Sequence, residues 1–262
     1  MNRLPSSIRE RIEGKPYRIN NVGLSGATVA VFEDCVLKIA PYQKKNEETV
    51  EVMRWLAGKL PVPEVLCCER DLERQYLLMR RVPGKMACSP DYMEQPKLLV
   101  DCLAEALKML WRVDISDCPR HRTIDTELRE ARYRVEHGLV DVRDVDPATF
   151  GAGGFQDPAA LLRWLEENRP AYEPVLSHGD FCLPNIFLDG GRISGFIDLG
   201  EMGVGDKWRD LALCYRSLKW NAGGMYGGKV YPEIQPERLF EALGIAPDEK
   251  KLKYYILLDE LY

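Results

Sequence analysis

Hydrophobic and polar positions change their spacing partway along the chain. Residues 17–32, YRINNVGLSGATVAVF, read as strand, glycine-containing turn and strand, and CVLKIA at 35–40 as a short strand with a lysine near its end. Over 44–58, KKNEETVEVMRWLAG, the spacing becomes helical, with Val52 and Trp55 three apart, Met53 and Leu56 likewise, and Gly58 as a stop. PVPEVLCCER (61–70) and QYLLMRRV (75–82) predict two further strands around a charged turn. VPGK at 82–85 then punctuates the chain. Beyond it the text is mostly helical. KLLVDCLAEALKMLWRV (97–113) lines up Leu99, Cys102, Leu103, Ala106, Leu107 and Leu110 on one stripe. Helical spacing returns near 124–137, 158–168, 207–220, 236–243 and 248–261. Residues 185–197 instead predict a hairpin, NIFL and ISGFI around the turn DGGR. DPATFGAGGFQD (146–157) reads as a mobile loop, and no internal repeat is visible. The pattern predicts a β-rich unit over 1–81, an α-rich unit over 82–262, and a hinge at about 79–84.

Composition narrows the function classes. With 36 Lys+Arg against 41 Asp+Glu the formal charge is −5, which argues against a nucleic-acid partner that needs a basic surface. No run approaches the ~18 apolar residues of a membrane span, and the opening MNRLPSSIRERIEGK lacks an apolar signal core, so a cytoplasmic protein is expected. The eight cysteines include no C-x-x-C pair and only three histidines accompany them, so neither a zinc cluster nor a disulfide framework is expected.

The candidate chemistry lies in SHGDFCLPNIFLDGGRISGFIDLGEMGVGDKW, residues 177–208. Asp180 is followed five residues later by Asn185 and, after the hairpin, by Asp198. Protein kinases use this spacing of roles: an Asp takes the acceptor hydroxyl proton, and an Asn and a later Asp bind Mg²⁺. Lys38, closing an apolar strand, is the candidate partner of the nucleotide phosphates. The turn around Ser25 and Gly26 offers backbone N–H groups to them. No P-loop, serine-hydrolase elbow or dinucleotide fingerprint competes with this reading.

Several stretches resemble the bacterial aminoglycoside 3'-phosphotransferase family of kinase-like antibiotic phosphotransferases. They are WLAGKLPVPEVL (55–66), DISDCP (114–119), SHGD with Asn185, GFIDLG (195–200), DKWRDLALCYRSL (206–218) and KYYILLDELY (253–262). The resemblance spans nearly the whole chain. It implies an α+β, bilobal protein-kinase-like fold, with a small β-rich N-lobe, a larger α-rich C-lobe and the nucleotide between them. It also implies ATP or GTP as donor with Mg²⁺, and an aminoglycoside hydroxyl, the 3'-OH, as acceptor. Asp180 then resembles the catalytic base, Asn185 and Asp198 the metal ligands, Lys38 the phosphate lysine and Met79 a hinge residue beside adenine. The Glu260 side chain and the Tyr262 terminal carboxylate would meet drug ammonium groups, and the protein would be a monomer or weak dimer.

The chain also departs from that family. Thr49 stands where the small-lobe helix should carry a glutamate for the phosphate lysine, with Glu47, Glu48 and Glu51 nearby, and a one-residue shift in the helix start would let Glu48 take that role. Val36 and Leu37 precede Lys38, where relatives often have an adenine-stacking aromatic residue. The 146–157 loop keeps Asp144 and Asp146 at its start but is otherwise poor in acids, and Trp220 and Asn221 replace acids expected after R-S-L-K. Glu201 stands where relatives have arginine and is expected to return some negative charge to the acceptor site. These departures leave two alternatives: a kinase for another small hydroxylated molecule, and a nucleotide-binding pseudokinase.

Overall fold

The computed structural model describes residues 4–20, 27–143 and 145–262. Helix α1 (Ser6–Ile12) is followed by strands β1 (Arg18–Asn20), β2 (Thr28–Val31) and β3 (Cys35–Pro41). Helix α2 (Lys44–Leu56) intervenes before β4 (Val65–Arg70) and β5 (Arg74–Arg80). The five strands form one antiparallel sheet in the order β1-β2-β3-β5-β4. Lys38 sits in its middle, opposite Val29 on one side and Leu77 on the other. The sheet turns Ala30, Phe32, Leu37, Tyr76 and Leu78 onto Ile8 and Ile12 of α1. Ile8 and Ile12 are four residues apart, so one face of this short helix covers the sheet. The sequence reading had assigned no element there.

The second unit is mostly helical. It begins with the two-residue strand β6 (Lys85–Met86) and helices α3 (Pro90–Met93), α4 (Pro96–Trp111), α5 (Ile124–Glu136) and α6 (Pro158–Glu167). Strands β7 (Pro174–Ser177), β8 (Ile186–Asp189), β9 (Arg192–Phe196) and β10 (Gly203–Asp206) follow, then α7 (Lys207–Ala222), α8 (Arg238–Leu243) and α9 (Glu249–Asp259). The expected helices are present to within a few residues, and the hairpin turn has positive φ at both Gly190 and Gly191, as a two-residue turn of this hand requires. The stripe expected on α4 is buried along its length, among Leu176, Leu211 and Leu258.

Two features go beyond what the local spacing showed. Val50, Val52, Met53 and Leu56 of α2 belong to the large C-terminal core rather than to the small sheet core, so the helix couples the two units. The loop 146–157 is also closed on itself: Thr149 N donates to Asp146 O, Phe155 N to Thr149 O, and the Phe155 ring meets Trp164 at 5.9 Å. All eight cysteines are free thiols, and no described helix is long and apolar enough to cross a membrane.

Candidate active site

The short ladder between β7 and β10 pairs Ser177 with Gly203 and so brings His178-Gly179-Asp180 beside the segment that follows Asp198. Asp210, in the first turn of α7, holds this loop from beneath. Its fully buried carboxylate accepts from Ser177 Oγ (3.0 Å), His178 N (2.7 Å) and Gly179 N (2.9 Å). Burial pushes the Asp210 pKa up, opposed by His178 and by these donors, which favour the charged form. Arg209 Nε donates to Gly179 O at 3.0 Å, and Leu183 N to Ser217 Oγ at 3.0 Å. His178 is buried with Nε2 3.0 Å from Ile197 O. A carbonyl can only accept, so Nε2 carries the proton and Nδ1 receives Asp180 N at 3.3 Å. Gly179 has φ +80, and a Cβ there would lie 2.6 Å from Glu201 O.

Within this frame the expected catalytic residues come together. Asn185 Nδ2 donates to Asp180 Oδ2 at 2.8 Å and to Asp180 O at 3.0 Å. With its N–H groups spent on Asp180, the Asn185 side-chain oxygen is left for a cation. Ile197 N donates to Asn185 O at 2.9 Å, so the hairpin returns Asp198 beside Asn185. Asp198 has φ 57 and ψ 59, a left-handed conformation costing about 1–2 kcal/mol for a residue with a Cβ. Its carboxylate is 56% exposed and lies 3.5 Å from Lys38 Nζ. An exposed carboxylate and a carboxamide oxygen are the hard donors that Mg²⁺ takes, one or two from protein with the rest from water and phosphate. The donor set therefore fits the metal, and among the described residues no cluster of three or more His, Cys, Asp or Glu offers a dedicated cage.

The remaining expected residues have other surroundings. Glu48 lies 3.9 Å from Lys44 one turn back, while the ion pair of Lys38 is with Asp198. Thr49 Oγ1 donates to Lys45 O and accepts from Arg120 Nη1 at 3.3 Å. Met79 occupies the end of β5 opposite Val36 and Val65. Ser25, Gly26 and Asp144 lie outside the described residues.

Glu201, expected as an open anion, is engaged on both oxygens. Lys45 Nζ stands at 2.5 Å and Arg122 Nη2 at 2.6 Å, so its charge is neutralised within the fold. Glu260 is also buried and engaged, accepting from Asp146 N at 2.9 Å and pairing with Arg216 at 3.3 Å. Burial pushes its pKa up, with the Asp146 N–H and Arg216 opposing. Tyr262 donates its hydroxyl to Glu127 O at 2.8 Å under the guanidinium of Arg209.

Sequence reasoning missed the supporting charges. Arg209 and Asp210 are buried inside WRDLALC, and Arg216 pairs with Asp259 and Glu260. The signal was there: two charged residues in a helical stretch that is apolar on every side. Buried charges of this kind persist only when paired. Arg120 and Arg122 carried no such signal, because their surroundings in sequence are a polar turn.

Comparison with known proteins gives this geometry a family. The phosphotransferase enzyme family matches residues 17–252. An aminoglycoside 3'-phosphotransferase from Enterococcus faecalis is 41% identical over 99% of this chain and 98% of its own length. One from Staphylococcus aureus is 36% identical over 94% and 90%. Among solved structures, an aminoglycoside 3'-phosphotransferase of type VIII superposes with a TM-score of 0.80 at 28% identity, covering 97% of this chain and 96% of the other. An aminoglycoside phosphotransferase from Streptomyces rimosus, solved with ADP and streptomycin, shares the fold at a TM-score of 0.80 and 24% identity over 97% and 96%. The sequence motifs, the kinase-like arrangement of Asp180, Asn185 and Asp198, and these near full-length matches agree: the chain belongs to the aminoglycoside 3'-phosphotransferase family.

Proposed function

We propose that the protein transfers the γ-phosphoryl group of ATP or GTP to the 3'-hydroxyl of an aminoglycoside. The observation that carries the reading is the joint placement of Asp180, Asn185 and Asp198, locked by the Asn185–Asp180 and Ile197–Asn185 hydrogen bonds, with Lys38 3.5 Å from Asp198. Asp180 Oδ2 is pinned by Asn185, which leaves Oδ1 to accept the proton of an incoming hydroxyl. Lys38, drawn to Asp198 here, would turn to the phosphate oxygens, a stronger multivalent anion. Mg²⁺, held by the Asn185 side-chain oxygen and Asp198, would neutralise charge on the transferring phosphoryl group. Ser25 and Gly26 would add backbone N–H donors and Met79 would line the adenine pocket, while Glu48, which pairs with Lys44, would support Lys38 only after leaving that lysine.

The acceptor reading rests on the family and on the acids around Asp180. Glu260 and its neighbour Asp259, which share Arg216, would receive ammonium groups there, with Tyr262 beside them. Glu201 would act on the acceptor only from within its ion pairs. On this reading the reaction would run in the cytoplasm, where ATP and GTP are supplied, with the protein as a monomer or weak dimer. A second acceptor class, another small hydroxylated molecule, is favoured by one observation: Glu201 and Glu260 are both neutralised internally, so the site holds fewer open anions than a polycation would use.

A coupled ADP-release assay with kanamycin- and neomycin-type drugs tests the acceptor. Turnover that disappears with a 3'-deoxy analogue supports the reading. Turnover no faster than nucleotide hydrolysis with every drug overturns the acceptor assignment.

A further inference from the structure

The segment Arg120–Arg122 lies between α2 and the turn that follows Asp198, and it grips both. Its main chain pairs with β10: Arg122 N donates to Val204 O at 2.7 Å, and Val204 N donates to Arg120 O at 2.8 Å. The Arg120 side chain, on a residue only 9% exposed, uses all three guanidinium nitrogens. Nε donates to Met202 O at 2.6 Å, Nη2 to Leu199 O at 2.8 Å, and Nη1 to Thr49 Oγ1 at 3.3 Å. One guanidinium thus spans the two ends of the short 3₁₀ turn Leu199–Glu201 and reaches across to α2.

A charge network runs beside it. Lys45 of α2 and Arg122 close on Glu201 from two sides, and the same two cations share Glu130 at 3.4 and 2.6 Å. Helix α2 is therefore tied to the turn twice, through Thr49 to Arg120 and through Lys45 to Glu201. The turn begins at the residue after Asp198, whose own left-handed backbone is held by what precedes and follows it.

We propose that Arg120 is a positioning residue for Asp198. With the Lys45–Glu201–Arg122 network, it couples α2 to the metal-ligand turn in place of a helix glutamate paired with Lys38. The inference rests on the phosphotransferase reading. It also joins two departures of the sequence into one arrangement. A glutamate at position 201 answers Lys45 and Arg122, where an arginine would meet two like charges. A threonine at 49 accepts from Arg120. The planar fork of arginine suits this task, since its donors hold fixed directions and stay charged, whereas a lysine ammonium offers a single centre that cannot reach both carbonyls and Thr49.

The test is a set of variants, Arg120→Lys, Thr49→Val and Lys45→Met, examined by circular dichroism and thermal melting. The decisive readout is the Mg²⁺ dependence of binding of a fluorescent, non-hydrolysable ATP analogue, with kcat and KM alongside. For Arg120→Lys the expectation is a rise of about fivefold or more in half-saturating Mg²⁺, and a fall of about tenfold in kcat, with the drug KM nearly unchanged. Thr49→Val and Lys45→Met move the same quantities in the same direction by smaller factors. A merely structural role would lower the melting temperature and leave the Mg²⁺ dependence of the folded protein as in the wild type, and that outcome overturns the proposal. If Arg120→Lys does not fold, the two α2 variants decide alone, and wild-type Mg²⁺ dependence in both overturns it. Because analogue binding needs no acceptor, failure of every drug to react would count against the acceptor and not against this coupling.

Discussion

In the proposed reaction Asp180 and Asp210 divide the work of the loop between a half-buried proton acceptor and a fully buried organiser. Asp180→Ala removes the base while leaving Asn185, Asp198 and Lys38 for the nucleotide. The expected result is a loss of about 10²–10⁴-fold in kcat with nucleotide affinity within a few-fold, read by steady-state kinetics and analogue binding. A pseudokinase would show no such contrast. Asp210→Ala acts differently. It strands the Ser177 hydroxyl and the His178 and Gly179 N–H groups in a buried place. Unsatisfied buried donors cost about 1–3 kcal/mol each, so urea denaturation should report a loss of about 3 kcal/mol or more. Asp210→Asn, which keeps an acceptor oxygen, should lose less.

At the scale of elements, the turn into β6 depends on a backbone conformation that only glycine takes without strain. Gly84, just before β6, has φ +86, and a Cβ there would stand 2.1 Å from Leu188 O of β8. Gly84→Ala is expected to destabilise the protein by about 2 kcal/mol or more, since it combines a strained φ with a backbone clash. A chemical denaturation midpoint close to that of the wild type would contradict this. The same elements show where sequence was informative. The helices α4 and α7 and the hairpin β8–β9 were legible because each repeats a local period, in stripes of apolar residues or a Gly-Gly turn. Asp180, Asn185 and Asp198 could be singled out because their spacing brackets that hairpin, and Lys38 because it closes an apolar strand. Strands β7 and β10 were not, because four residues pairing across more than twenty leave no local pattern. Nor was the neutralisation of Glu201, which needs Lys45 and Arg122 from two other parts of the chain. Partners that meet only in the fold leave no spacing to read.

At the scale of the whole molecule, Glu173, just ahead of β7, ties together distant helices of the second unit. Its carboxylate receives Lys251 Nζ at 2.6 Å from α9, Lys207 Nζ at 2.7 Å and Trp208 Nε1 at 2.9 Å from α7. The hydrogen bonds from Lys207, Lys251 and Trp208 pull its pKa down from 4.5 to about 2. A depressed carboxylate contributes stability above its unfolded pKa and loses it as pH falls through the folded one. Wild-type stability should therefore fall between pH 4.5 and about 2 in part through this group. Glu173→Gln, less stable at neutral pH, should show a shallower acid decline when both are followed by denaturation across that range. Parallel curves would contradict it. The central claim, however, concerns the position of the transferred group. Incubating the protein with ATP, Mg²⁺ and a kanamycin-type drug, and mapping the product by phosphorus–proton correlation NMR, tests it most directly. The account predicts a single phosphoryl group on the 3'-oxygen, absent with Asp180→Ala. Phosphate on another hydroxyl, or no phosphorylated drug at all, would contradict it.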